Sequence, residues 1–108
     1  METLHGVTNP AKVLKIVESI ERDGWQGAPM VADGDLLLTG VHRYAALRML
    51  DRAMEVEEHT IDIRNICPDY DARVAELIAE DFDGMEAIQI TLEGLPVAIH
   101  NEYGIDLH

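Results

Sequence analysis

The sequence predicts an α+β domain, with a small mixed sheet and flanking helices first and a helical C-terminal part after it. Three observations carry this expectation. The apolar run Leu36-Leu37-Leu38 meets the small-residue turn Thr39-Gly40 and gives way to a helical pattern from Val41. Asp33-Gly34 is a tight-turn signal between two short apolar runs. Val13, Ile16, Val17 and Ile20 recur at helical spacing, which gives one apolar face. Strands early and helices late point to α+β rather than to a repeating βα unit.

Taken in order, residues 1–9 read as a polar lead-in, with Asn9 a helix N-cap and Pro10 in the first helical position. The first helix then runs to Gly24. Trp25 to Pro29 is a connector, and Met30–Ala32 and Leu36–Leu38 are the strands of the hairpin. A helix follows from Val41 to Leu50. Thr60 to Ile63 alternates as a strand should. Pro68-Asp69 restarts a helix whose buried side is Tyr70, Val74, Leu77 and Ile78, and Asp83-Gly84 breaks it. A further helix spans Met85 to Leu92, and Leu95-Pro96 opens a last one that stops at Gly104.

At 108 residues the chain is expected to form a single domain, its core in 10–66 and a helical acidic extension in 67–108. A hydrophobic share of 47% excludes a disordered chain. No apolar run reaches membrane-spanning length and no signal-peptide pattern opens the sequence, so a cytoplasmic protein without a membrane partner is expected. The single cysteine, Cys67, excludes an internal disulfide framework and a cysteine zinc site. Residues 1–50 carry five basic and six acidic side chains, and residues 51–108 carry three and fifteen. The resulting net charge of −13 opposes direct binding to DNA.

The near-neutral half holds the most informative residues. A helix start presents unpaired N–H groups and the positive end of the dipole, so it attracts anions. Gly40 lets a ligand approach the backbone, Arg43 can fork two hydrogen bonds to phosphate oxygens, and His42 adds a donor at the same edge. Thr39 and Tyr44 complete the set of candidate phosphate- or nucleotide-binding residues. The bland alternative is a helix start capped by Thr39, with Arg43 merely solvated.

The order helix, Gly-Trp-x-Gly-x-Pro, strand, Asp-Gly, strand, Thr-Gly-x-His-Arg-Tyr-x-Ala resembles the ParB/sulfiredoxin-like superfamily over roughly Val13 to Ile63. ParB proteins carry a Gly-x-Arg-Arg form of the motif and sulfiredoxins a Gly-Cys-His-Arg form; in both it opens a helix and binds nucleotide phosphates. The resemblance therefore implies that Gly40, His42 and Arg43 are phosphate contacts, with Thr39 and Tyr44 beside them and Trp25 a wall of the pocket. Val41 stands where sulfiredoxins carry their nucleophilic cysteine, which argues against sulfinic-acid reductase activity. ParB partition proteins carry a helix-turn-helix region after this domain. With an acidic later half in its place, chromosome partition is not expected as this chain's complete function.

ParB domains that hydrolyse CTP place a Glu-Asn pair on a later helix, where it holds magnesium. The resemblance matches Glu80-Asp81 to that pair, with Mg2+ as the implied metal. Relatives with a Gly-His-His-Arg motif include small-molecule kinases, which keeps phosphoryl transfer open. The residues themselves favour a solvated helix face for Glu80 and Asp81, a core role for Tyr44 and Trp25, and an unreactive Cys67. His5, His59 and His100 show no metal-ligand spacing.

The leading expectation is a stand-alone ParB-like domain that binds a nucleotide or another phosphorylated ligand at His42-Arg43, with metal-dependent nucleotide hydrolysis if it is an enzyme. Arg43→Ala is expected to abolish binding with little loss of stability. The rival is a non-catalytic acidic protein, such as a phage or mobile-element accessory or a DNA mimic, that engages a basic partner. A protein partner or a homo-oligomer is a separate expectation. A ParB-like nuclease ranks third, because DNA would have to approach a strongly negative chain.

Overall fold

The computed structural model describes residues 1–25 and 27–103. Among these, five α-helices surround a four-stranded mixed sheet, the α+β arrangement expected. The strands are β1 (Glu2–Thr3), β2 (Met30–Asp33), β3 (Leu36–Thr39) and β4 (Thr60–Asp62), in the order β1-β3-β2-β4. The β2–β3 hairpin is antiparallel, whereas β1 pairs parallel with β3 and β4 parallel with β2. The helices are α1 (Pro10–Asp23), α2 (Val41–Met49), α3 (Tyr70–Ala79), α4 (Gly84–Glu93) and α5 (Val97–Tyr103). Short 3₁₀ turns at Ala53–Glu55 and Ile63–Asn65 flank β4. The stop expected at Gly104 lies outside the described residues.

Alternation along the strands separates two apolar layers. Met30, Ala32 and Leu37 pack with Val13 and Ile20 of α1 and with Ala46 and Leu47 of α2. Val31 and Leu38 face the other way, onto Ile63, Tyr70 of α3, and Ile88 and Leu92 of α4. The sheet thus lies between α1/α2 and α3/α4. Near-continuous burial of β2 and β3 follows, with Met30 and Val31 fully buried.

Local chemistry sets the element ends. The Asn9 side chain accepts from Lys12 N and Pro10 opens α1, as the sequence predicts. Gly24 closes that helix at φ 75°. Helices α2 and α3 end without glycine. At the end of α3 Phe82 N–H bonds Leu77 O and Asp81 N–H bonds Ile78 O, with Asp81 left-handed at φ 74°. Asp51, at φ 56°, closes α2 in the same way.

The structure corrects four expectations. Residues 1–9 are not only a lead-in, because Glu2–Thr3 adds a strand to the free edge of β3. The break after α3 falls at Glu80-Asp81; Asp83 instead caps α4 by accepting from Glu86 N, and Gly84 is the first residue of that helix. Ile78 is exposed rather than buried, because it lies outside the stripe that meets α4. Thr39 is not the cap of α2: Gly40 takes that position at φ 85°, with no side-chain cap.

Candidate functional site

The junction of β3 and α2 lies against the start of α1 and encloses a cavity of about 190 Å³. Strand β3 delivers Thr39 to its lining, the turn brings Gly40, and the first turn of α2 contributes His42 and Arg43. Lys12 reaches it from α1 and His5 from the segment after β1. No Asp or Glu is among the lining residues. In a chain of net charge −13, a cavity lined by Lys, Arg and His with no carboxylate is a local reversal of sign.

The backbone here depends on glycine. Gly40 has a left-handed φ, and a Cβ on it would stand 2.5 Å from Met30 Cγ. With no side-chain cap, the first N–H groups of α2 are left to another acceptor. Beside them, Thr39 Oγ1 and His5 Nε2 are shielded from water and have no hydrogen-bond partner. Thr39 is only 5% exposed, so its unpaired hydroxyl costs folding energy that a ligand could offset.

Arg43 is half-buried and has no carboxylate partner among the described residues. Its Nη1 donates to Ala28 O, and its guanidinium lies 5.5 Å from the centre of the Trp25 ring. Burial pushes its pKa below the ordinary arginine value, the direction expected for a desolvated cation without a counter-charge. Arg64 is a useful contrast. It is held by Asp33, Asp62 and Asp71 at 2.6–3.1 Å, and hydrogen bonds to those carboxylates raise its pKa. Arg64 is consumed by the fold, whereas no carboxylate among the described residues pairs with Arg43.

His42 has a more structural role than a simple donor. Its Nε2 accepts from Asn9 N–H at 3.2 Å, which ties the start of α2 to the cap of α1. With Nε2 accepting, the neutral ring carries its proton on Nδ1.

Thr39, Gly40, His42 and Arg43 therefore share one cavity. Tyr44 is half-buried in an adjoining depression with Arg48, whose guanidinium lies 5.8 Å from the tyrosine ring centre, and Val41 lines both. Trp25 is not among the residues that line the cavity; its ring lies against the Arg43 guanidinium. Glu80 and Asp81 are exposed at the end of α3, in the layer beyond the sheet, and neither joins a group of three metal-ligand side chains among the described residues. Cys67 is buried and its thiol donates to Asp69; burial and that carboxylate push its pKa up, as expected of an unreactive thiol.

Lys12 and His5 were not singled out by the sequence. Lys12, at the third position of a helix capped by Asn9, sits where a side chain reaches toward whatever docks on that cap. His5 carried no signal, because β1 itself carried none.

One group of potential metal ligands occurs among the described residues, at Glu55, Glu58 and His59. The i, i+3, i+4 pattern Glu55-x-x-Glu58-His59 is the signal that could have found it. No described helix is long and apolar enough to cross a membrane. Comparison of the chain with protein-family models, curated proteins and solved structures finds no match.

Proposed function

We propose that this protein binds a phosphorylated small molecule, with the phosphate seated at the N-terminus of α2 between Lys12, His42 and Arg43. The observation that carries the reading is Thr39, whose Oγ1 is buried and unpaired and which lines a cavity whose charged side chains are cationic. Helix N–H groups and the Arg43 guanidinium supply donors to the anion, and the hydroxyl supplies one more. This is the role that the ParB/sulfiredoxin resemblance gives to the Gly-x-His-Arg motif. A volume of about 190 Å³ suits phosphate groups rather than a whole nucleotide. The rest of a nucleotide would extend across Val41 toward Tyr44 and Arg48.

The proposal is of binding rather than hydrolysis. The cavity lining offers no carboxylate to act as general base or to hold magnesium, and Glu80-Asp81 belongs to the opposite layer. Calorimetric titration with pyrophosphate and with nucleoside triphosphates tests the reading. Saturable binding that Lys12→Ala weakens supports it, since Lys12 is exposed and its loss leaves the fold intact. Equal affinity in wild type and Lys12→Ala, or no heat with any phosphate, contradicts it.

A further inference from the structure

Outside the cradle, the turn between the 3₁₀ segment and β4 gathers donors of two chemical kinds. Glu55, Glu58 and His59 each offer one ligand atom, and these atoms all lie within 4.8 Å of one another. The backbone that carries them is fixed at both ends. His59 N–H bonds Glu55 O and Val56 O, Thr60 Oγ1 donates to Val56 O, and His59 O accepts from Met30 N at 2.7 Å. The imidazole is fixed as well: it stacks on the Trp25 ring at a centroid distance of 4.4 Å and an interplanar angle of 2°. Stacking occupies the face of the ring and leaves its nitrogens at the edge. Glu55 approaches that edge, with Oε1 3.9 Å from His59 Nε2, while its Oε2 lies 3.5 Å from Arg52 Nε.

We propose that Glu55, Glu58 and His59 bind a divalent transition-metal ion of the zinc, nickel or cobalt type. An imidazole nitrogen beside two carboxylates matches the preference of such ions, whereas magnesium favours oxygen donors and keeps much of its water. Two carboxylates brought this close repel each other, and a dication between them removes the repulsion. Trp25 acts as the outer support that orients the ligating ring, the task a hydrogen-bond partner performs in many metal sites. Three protein donors leave a fourth position for water or an anionic group, the pattern of open rather than closed sites. The proposal does not depend on the anion cradle.

Trp25 is the only tryptophan, so the site carries its own reporter. The test is a titration of the full chain with Ni2+ in phosphate-free buffer with excess Mg2+, read by tryptophan fluorescence. Saturable quenching at micromolar Ni2+, reversed by competing Zn2+, is expected. His59→Asn should remove it. Glu58→Gln, at an exposed position, should shift half-saturation at least tenfold with an unchanged circular dichroism spectrum. Absent or merely linear quenching in this Mg2+ buffer, or the same half-saturation in Glu58→Gln, would overturn the proposal, because diffuse attraction of cations to an acidic chain behaves in that way.

Discussion

The Cα of Gly40 sits against Met30 so closely that a Cβ would stand 2.5 Å from Met30 Cγ, on a backbone already at φ 85°. Met30 is fully buried, so moving it aside would disturb the core packed around it. Gly40→Ala therefore combines left-handed strain with overpacking, each costing about 1–2 kcal/mol. A fall in the urea midpoint is expected, larger than for Gly34→Ala, where a Cβ meets nothing within 4 Å. Equal losses at the two glycines would contradict the account of the β3–α2 turn.

Arg43 has two duties. It hydrogen-bonds Ala28 O and packs over Trp25, so the expectation from sequence that Arg43→Ala spares stability is revised. The substitution should cost about 1–2 kcal/mol as well as phosphate affinity. Lys12→Ala should lower affinity alone. Chemical denaturation of both variants, run beside the binding titration, separates the two effects.

Tyr70 donates its hydroxyl to Asp33 Oδ2 at 3.1 Å while its ring is 1% exposed in the core. Burial and the Asp33 charge push its pKa up, so the phenol stays a donor throughout the physiological range. Tyr70→Phe keeps the packing and removes one bond to a charged acceptor, at a cost of about 1.5–3 kcal/mol. Urea unfolding with an unchanged m-value is the check.

Arg64 holds the Asp71 carboxyl below its usual pKa range through a hydrogen bond. A carboxylate with a depressed folded-state pKa adds stability above its unfolded value of about 3.9 and loses it as pH falls through the folded value. Arg64→Met should therefore lower the melting temperature at pH 7. The gap from wild type should narrow as pH drops below about 4. A gap that is constant with pH would show that Arg64 acts through packing alone.

The sequence signals that held were those with a local physical cause. Asn9-Pro10 starts a helix and Asp33-Gly34 turns a hairpin because each fixes backbone angles or satisfies a donor without distant help. Gly40 was legible as the turn before α2 for the same reason. What escaped depends on contacts made across the fold. Two residues of β1 carry no periodicity and become a strand only because β3 has a free edge. Asp51 and Asp81 end helices in a conformation usually taken by glycine, so the break expected at Asp83-Gly84 lies three residues late. His5 and Lys12 reach the cradle only when β1 and α1 are packed beside α2. His59 gains its setting from Trp25, more than thirty residues earlier.

The anion cradle is tested most directly by the melting temperature of wild type and Thr39→Val, each with and without pyrophosphate or nucleoside triphosphates. Removing a buried, unpaired hydroxyl should stabilise the free protein by about 1 kcal/mol. A ligand that binds only the folded state must raise the wild-type melting temperature, by about 2.7 kcal/mol of stabilisation at a hundredfold excess over Kd. The expected result is a variant that is more stable alone and gains less from the ligand. No shift of the wild type with any phosphate at millimolar concentration, or equal shifts in both proteins, would contradict the cradle.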